Sequence, residues 1–348
     1  MMIETYSYRL QALHWLDGVT LRLLLRPECH RGLSIQAGQF FSLQLPSGIT
    51  RSYSLACAPR NDGWLEAHIR LRAAGQASAW LRHEACPGQM LTISGPFGDC
   101  VWEAEQAAID RVVMLATGTG IAPLKAMLEY AHAAGCRTPI HLYWGGAEDA
   151  DLYLAEYFAS LALRWPLLRF IPVLSHAPAE WTGRRGFVQD VAAADHPDLS
   201  GARVYACGAP RMVEQARTLL TERCHLPAER FHADAFVPAQ APAANHGNLT
   251  VRWRRPQGDW LTVPAVEGDP LITALAAAGL VLPVCGGQAA CGACRVAIDS
   301  NWLSQLPQPS RQEQRLLAAL DEPSPAHRLA CQIKLSTELN GLSLAAHR

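Results

Sequence analysis

The sequence predicts a multidomain chain: an antiparallel β-barrel, then an α/β domain with a parallel sheet, then a smaller α+β domain. Short apolar runs separated by turn residues fill residues 1–105, a pattern typical of an antiparallel barrel. Over residues 106–236, strand-like runs alternate with helical ones, which predicts βαβ units. Short β-like segments begin again in residues 249–348, so we place a third domain there.

Five apolar runs are the expected strands of the first domain, at residues 19–25, 40–45, 51–56, 65–71 and 90–94. The second domain combines four expected strands with three expected helices. The strands are residues 111–116, 140–144, 168–174 and 203–207, and the helices are residues 124–134, 152–163 and 212–224. Residues 237–248 are rich in Ala and Pro and are expected to be a linker. The third domain opens with strands at 249–253 and 261–263 and a helix at 270–278.

Composition excludes several classes of protein. The chain has 49% hydrophobic and 18% charged residues and a formal net charge of −1, so we expect no nucleic-acid partner. No apolar stretch is long enough to span a bilayer, and the first residues lack the pattern of a secretory signal. Eleven cysteines without an export signal indicate a reducing compartment, and we expect a cytoplasmic protein.

Four cysteines near the end of the sequence form the most informative motif. Cys285, Cys291 and Cys294 are separated by five and two residues, and Cys331 follows after 36 more. Small residues lie between the first three, so the backbone can wrap closely around a metal centre. Four thiolates suit a [2Fe-2S] cluster. Structural zinc also takes four cysteines, although its sites usually pair two C-x2-C knuckles, whereas this sequence has one. A chance group of free thiols is the third alternative.

The cysteine loop and the segment R-L-A-C-Q-I-K-L-S-T-E-L-N-G-L (328–342) resemble the [2Fe-2S] ferredoxin superfamily. That resemblance implies a β-grasp ferredoxin domain in which the four cysteines ligate the cluster. The five-residue gap differs from the plant-type C-x4-C-x2-C spacing and is closer to that of adrenodoxin-like ferredoxins.

A second motif lies on the expected strand at 51–56. Arg51 and Tyr53 fall on one face and Ser54 on the other, so the strand offers a charge, an aromatic ring and a hydroxyl. R-x-Y-S alone is a common strand sequence. Its neighbours G-Q-F-F-S-L (38–43), G-Q-A-S-A-W-L (75–81) and G-P-F-G (95–98) make the order similar to the flavin domain of the ferredoxin–NAD(P)+ reductase superfamily.

The resemblance implies that Arg51, Tyr53 and Ser54 contact a flavin. It also implies that Gly75 and Ser78, at a turn into a helix, bind a pyrophosphate, for which a helix N-terminus is suited. A pyrophosphate-binding turn favours FAD. FMN stays an alternative because some phthalate dioxygenase reductases use it.

The strand at 111–116 runs into a glycine turn followed by a helix, and alone this could be a structural loop. The later strand ends in C-G-A-P-R-M (207–212). In the same superfamily, T-G-x-G-x-x-P and C-G-x-P turns flank the nicotinamide, and both are present here in that order. The resemblance implies a set of nicotinamide contacts. These are Thr117, Gly118, Thr119, Gly120, Pro123, Cys207, Gly208, Pro210 and Met212. Cys207 is expected to lie beside the contact between nicotinamide and flavin. The resemblance implies that Cys207 and Ser54 both take part in hydride transfer. Asp234 and Phe236 resemble the superfamily's domain-terminal contact with the flavin.

Three carboxylates follow the strand at 140–144, at Glu148, Asp149 and Asp151. They would repel the 2′-phosphate of NADPH and accept hydrogen bonds from the ribose hydroxyls of NADH. A solvated acidic loop that stabilises a helix N-terminus is the alternative. We therefore expect NADH, with NADPH as the alternative.

Together the motifs resemble phthalate dioxygenase reductase and other reductase components of bacterial oxygenases. The resemblance implies an NAD(P)H-dependent oxidoreductase of the ferredoxin reductase type that passes electrons from NADH through a flavin and a [2Fe-2S] cluster to a protein acceptor. Two alternatives remain. One is a reductase for radical sugar deoxygenation, resembling CDP-glucoseen reductases, which usually carry the ferredoxin domain first. The other is a redox sensor without turnover.

Overall fold

The computed structural model describes residues 4–29, 32–73, 75–103, 109–236, 249–255, 257–281, 285, 287–320 and 323–347. Of these, residues 5–47 and 53–236 form one compact unit, and residues 4, 48–52 and 249–347 form a second. The expected linker at 237–248 lies outside the described residues. The domain boundaries predicted from the sequence stay a prediction.

An antiparallel six-stranded sheet forms the first part of the chain, with strand order β4-β3-β6-β1-β2-β5. Its elements are β1 (Thr5–Trp15), β2 (Thr20–Pro27), β3 (Phe40–Gln44), β4 (Thr50–Ser54), β5 (Leu65–Arg70), α1 (Gln76–His83) and β6 (Met90–Phe97). The Ala56 amide just after β4 donates to the Glu66 carbonyl in β5 at 2.8 Å, which joins the two edges of the sheet. The predicted antiparallel architecture is confirmed. The first strand, β1, was not predicted from the sequence.

A parallel six-stranded sheet follows, with strand order β10-β9-β8-β7-β11-β12. Its elements are β7 (Arg111–Thr117), α2 (Ile121–Ala133), β8 (Ile140–Gly146), α3 (Ala155–Arg164), β9 (Leu168–Leu174), β10 (Arg184–Arg185), α4 (Val188–Asp195), β11 (Ala202–Gly208), α5 (Pro210–Arg223) and β12 (Phe231–Ala235). The strand order changes direction between β7 and β11. In open parallel sheets, ligands bind at the carboxyl ends of the strands at such a switch point. The glycine turn and the C-G turn both begin at this crevice.

The third sheet is mixed and has the order β14-β13-β17-β15-β16. Its elements are β13 (Leu249–Arg254), β14 (Trp260–Ala265), α6 (Leu271–Ala277), β15 (Arg295–Ile298), α7 (Arg311–Ala319), β16 (His327–Leu329) and β17 (Leu342–Ala346). Strands β13 and β17 are parallel and the other pairs are antiparallel. This confirms the α+β prediction. The cysteine loop leads directly into β15, and Cys331 lies two residues after the end of β16, so the antiparallel pair of these strands brings the cysteines to one end of the sheet.

No described helix has both the length and the apolar character needed to cross a membrane.

Candidate functional site

The glycine turn after β7 and the C-G turn after β11 are in direct contact. A β-carbon on Gly120 would lie 2.1 Å from the Cys207 carbonyl oxygen, and one on Gly208 would lie 2.4 Å from Thr117 Oγ1. Gly208 also has a φ of +132°, which L side chains rarely adopt. The Ala209 amide donates to Thr117 Oγ1 at 2.9 Å. Two motifs about 90 residues apart in the sequence therefore form a single surface.

Ser54 and Asp234 join the first sheet to this surface. Ser54 Oγ donates to Asp234 Oδ2 at 3.4 Å, and Asp234 is the register partner of Cys207 in the β11–β12 pair. Burial raises the pKa of Asp234 to about 6, although the hydrogen bond from Ser54 opposes the shift. A hydroxyl, a carboxyl that titrates near neutrality and a buried thiol thus lie together at the switch point.

Cys207 is fully buried, and its thiol lies within hydrogen-bonding reach of the Cys100 thiol. This hydrogen bond and burial raise the pKa of Cys100 well above its usual value. Cys100 was not singled out from the sequence; its only signal was its position two residues after the G-P-F-G turn. The Phe236 amide donates to the Gly208 carbonyl at 2.7 Å, so the end of this segment is anchored to the C-G turn.

The residues expected to hold the flavin lie on β4 and at the start of α1. Arg51 and Tyr53 are partly buried, and Arg51 Nη1 donates to its neighbour's carbonyl at 2.8 Å. Gly75 is the N-cap of α1. The buried Ser78 hydroxyl accepts from the Arg72 amide at 2.9 Å, so its acceptor capacity is partly used in closing the local turn.

The remaining predicted nicotinamide residues divide into two groups. Gly118, Thr119 and Gly120 form a 3₁₀ turn, and Pro123 is buried in the first turn of α2. The Trp144 indole donates to the Gly118 carbonyl at 3.0 Å, a support that sequence reasoning missed. Pro210 is exposed at the start of α5. Met212, by contrast, packs in the apolar core of this sheet and is 6% exposed.

Only part of the acidic loop is available to a ligand. Asp151 Oδ2 accepts from the Ala147 and Glu148 amides at 2.9 and 3.2 Å, and Oδ1 accepts from Arg70 at 3.0 Å. Burial would raise the pKa of Asp151, but these hydrogen bonds lower it. Asp151 thus has a structural role, as in the alternative in which the acidic loop stabilises local structure. Glu148 and Asp149 are exposed.

The four predicted cluster cysteines form two pairs. The thiols of Cys285 and Cys291 lie within hydrogen-bonding reach of each other, and so do those of Cys294 and Cys331. The hydrogen bond with Cys291 lowers the pKa of Cys285 to about 6 against the effect of burial. The partner thiol and burial raise the pKa of Cys291, and the same two causes raise that of Cys294.

Backbone amides surround these sulfurs. Those of Gly287, Gln288 and Ala290 point at Cys285, and that of Ala289 points at Cys331. Ala289 has a φ of +50°, so the loop keeps a conformation that is unfavourable for alanine. The Gln332 side chain donates to Cys331 Sγ at 3.5 Å. Amide donors around deprotonated sulfur are what an iron–sulfur cluster requires.

The paired arrangement distinguishes two metals. A structural zinc ion draws four sulfurs to one point. A [2Fe-2S] cluster instead takes two cysteines at each of its two irons, so two adjacent thiol pairs fit it.

Three family models match the chain, in the order of its sheets. An oxidoreductase FAD-binding domain matches residues 17–102, an oxidoreductase NAD-binding domain matches residues 114–218, and a 2Fe-2S iron-sulfur cluster binding domain matches residues 254–336.

Individual relatives agree with these models. The ferredoxin–NAD(P)+ reductase component of the naphthalene 1,2-dioxygenase/salicylate 5-hydroxylase systems of a Ralstonia species is 35% identical over 62% of the chain, and the match spans 64% of that relative's own length. The CDP-6-deoxy-L-threo-D-glycero-4-hexulose-3-dehydrase reductase of Yersinia pestis is 33% identical over 68% of the chain and 70% of the relative. The crystal structure of the Amycolatopsis reductase GcoB superposes with a TM-score of 0.63 at 32% identity, covering 68% of the chain and 71% of GcoB.

Proposed function

Since the chain belongs to the ferredoxin–NAD(P)+ reductase superfamily, with FAD-binding, NAD-binding and C-terminal 2Fe-2S domains in the phthalate dioxygenase reductase arrangement, we propose that it is an NADH-dependent electron-transfer reductase. Its acceptor is a protein, and we infer an oxygenase component. The contact between Ser54 and Asp234 carries this proposal, because it joins the expected flavin strand to the expected nicotinamide crevice.

A flavin accepts two electrons as hydride and releases them one at a time, and a [2Fe-2S] cluster carries single electrons. The protein's task is therefore placement rather than acid catalysis of the hydride step. Gly120 and Gly208 lack side chains where the two turns meet, so the backbones of the two turns can pack directly against each other and fix the shape of the proposed crevice. On β4, Arg51 and Tyr53 supply a charge and an aromatic ring for the proposed flavin.

Asp234 is suited to hold a proton at this site. Its pKa of about 6 lets it take up and release a proton near neutral pH. Ser54 Oγ, 3.4 Å away, donates to Asp234 Oδ2 and would be the group that exchanges a proton with it. We assign Asp234 to the site for this reason, together with Ser54 and Cys207.

Cys285 and Cys291 would hold one iron, and Cys294 and Cys331 the other. The surrounding amides stabilise negative charge on the sulfurs. For the nicotinamide, the exposed carboxylates of Glu148 and Asp149 would repel a 2′-phosphate, so we propose NADH as the donor. FAD is the proposed flavin, held at Gly75 and Ser78.

We further propose the boundaries predicted from the sequence, with domains at residues 1–105, 106–236 and 249–348, and a cytoplasmic location. The acceptor is inferred from the relative in the naphthalene dioxygenase system.

The test compares two artificial acceptors in the full-length protein. Ferricyanide accepts electrons from the flavin directly, whereas cytochrome c reports on electrons that have passed the cluster. The variant Cys331→Ser should keep NADH-dependent ferricyanide reduction and lose cytochrome c reduction. If the purified wild-type protein contains neither flavin nor iron after anaerobic reconstitution, the proposal fails.

A second candidate function is supported by the Yersinia relative, whose name assigns it to a deoxysugar dehydrase. Both functions share the path from NADH to the cluster and differ only in the acceptor. Reconstitution with an oxygenase component and with a sugar dehydrase separates them. NADH turnover with either acceptor excludes a sensor that works without turnover.

A further inference from the structure

Lys125 is a buried charged residue that has no role in the proposed transfer of hydride and electrons. It lies one turn into α2, five residues after Gly120, and is 7% exposed. Its ammonium group donates to the Ala56 carbonyl at 2.7 Å and lies 3.3 Å from Glu66 Oε1 and 2.8 Å from Glu129 Oε1. One side chain of the parallel-sheet domain thus reaches the backbone and a carboxylate of the first sheet.

Glu66 and Glu129 each have further partners, which lie in the antiparallel-sheet part and in the parallel-sheet part of the unit. Glu66 is 5% exposed and also receives Arg22 at 2.6 Å and the His68 ring at 3.0 Å. Glu129 accepts the Ala58 amide at 2.9 Å and the Tyr157 hydroxyl at 2.8 Å. The carboxylates of Glu66 and Glu129 are therefore balanced by the cations of Lys125 and Arg22. Removing the charge of any one of these residues would leave a charge of the opposite sign without its partner.

These contacts end beside the proposed site. Ala56 lies two residues beyond Ser54, and the Ala58 amide bonded to Glu129 lies two residues further on. On the other side, α2 begins at Ile121, directly after the glycine turn that touches Cys207. The helix thus connects the nicotinamide turn, through Lys125 and Glu129, to the strand that carries the flavin contacts.

We propose that Lys125, with Ala56, Ala58, Glu66 and Glu129, forms an ionic clamp that fixes the distance between the hydride donor site and the hydride acceptor site. Lys125 is a positioning residue, because it touches neither proposed ligand site. The inference rests on the proposed function for the hydride step, but the clamp itself is a property of the polypeptide.

The principal variant is Lys125→Met, which keeps a similar length and removes the charge. Anaerobic stopped-flow bleaching of the bound flavin by NADH should slow at least 10-fold while the Kd for NADH changes less than 3-fold, because misplacement affects reaction more than binding. Hydrogen–deuterium exchange of the flavin-loaded protein without NADH should speed up in residues 54–58 and 121–130 together.

Two further variants keep the test decisive if Lys125→Met folds poorly. The double variant Glu66→Gln/Lys125→Met removes one charge of each sign, so the burial penalty is relieved while the clamp stays broken. The variant Glu129→Gln weakens one arm at a partly exposed carboxylate and should give a smaller change in the same two segments. Lys125→Arg keeps the cation and should restore most of the protection.

The sequence supplies a matched control, since it has only two lysines and the other, Lys334, is exposed in the third sheet's unit. Lys334→Met should leave both flavin bleaching and exchange unchanged. Wild-type bleaching and wild-type exchange in folded Lys125→Met, or in the folded double variant Glu66→Gln/Lys125→Met, would overturn the clamp. A wild-type protein that NADH cannot bleach would instead overturn the proposed function, while the exchange measurement would still decide the clamp.

Discussion

Gly120 and Cys207 touch so closely that residue 120 cannot carry a side chain: a β-carbon there would lie 2.1 Å from the Cys207 carbonyl oxygen. The obstacle is backbone, which cannot rotate away. Because this contact aligns the two turns of the proposed nicotinamide crevice, its geometry decides where a ligand on them would lie. A displacement of about 1 Å at such a place can reduce a rate about 100-fold.

The variant Gly120→Ala is therefore expected to lower kcat/KM for NADH by about 100-fold, since the turns must separate. Steady-state ferricyanide reduction measures it. Gly135→Ala is the control, because no atom lies near the missing β-carbon of Gly135, although Gly135, unlike Gly120, has a positive φ, of +72°. That control should lose about 1 kcal/mol of stability and keep its activity. Normal kcat/KM in Gly120→Ala would show that the contact is not needed.

The pKa of Asp234 predicts how activity depends on pH. Burial raises this pKa to about 6, so the carboxyl is ionised at pH 7 and protonated below pH 6. If the ionised form accepts the proton released during electron transfer, turnover with cytochrome c should fall as pH drops through 6. Asp234→Asn should be slow and lack this inflection.

The pH dependence of folding stability that Asp234 contributes has the opposite sign to the expected pH dependence of activity. A carboxyl whose folded-state pKa is raised binds its proton more tightly when folded, so its contribution to stability is largest below the unfolded pKa and is lost as pH rises through 6. Asp234→Asn should therefore not lower the melting temperature at pH 7. A variant that both melts early and retains the inflection near pH 6 would contradict the assignment.

Elements fixed by local pattern were predicted well from the sequence. The strand β9 (Leu168–Leu174) has the predicted bounds, and β7 and β8 agree to within two residues, because continuous apolar runs between turns are typical of buried parallel strands. By contrast, β1 was missed, since exposed and partly buried residues are mixed along it and no simple alternation is visible. The short helix α4 was also missed.

The candidate site likewise has parts that could be predicted from the sequence and parts that could not. The glycine and cysteine motifs were visible because they are contiguous in sequence. The network of Lys125 and Glu66 was not, because ion pairs between residues 59 apart are created only by folding. Met212 lies beside a motif, and helix periodicity turns its side chain into the apolar core, so its contact with a ligand stays a prediction.

Glu313 and Arg328 form a buried ion pair beneath the cysteine site, and both are at most 5% exposed. Glu313 Oε1 accepts from Arg328 Nε at 2.9 Å and from the Leu329 amide at 2.8 Å, two residues before Cys331. Breaking a buried pair costs about 3–5 kcal/mol. Glu313→Gln should thus lower the melting temperature and the iron content, measured by colorimetric assay, whereas exposed Glu338→Gln should change neither. Full iron content in Glu313→Gln would refute this role.

Gln332 gives a prediction about the cluster's potential. Its side-chain amide donates to Cys331 Sγ at 3.5 Å and to the Gly287 carbonyl at 3.2 Å. A hydrogen bond to a ligand sulfur stabilises the reduced, more negative cluster and so raises its reduction potential. One such bond contributes about 1 kcal/mol, which corresponds to about 40 mV for one electron.

Gln332→Leu should accordingly lower the potential by about 40 mV in a spectroscopic redox titration, with iron content unchanged. Gln314→Leu is the matched control, because the Gln314 amide donates to the Pro309 carbonyl on the surface of the same unit. Retention of the wild-type potential in Gln332→Leu would mean that this amide does not tune the cluster. A fall in Gln314→Leu as well would indicate a general change in the unit instead of the loss of one hydrogen bond to sulfur.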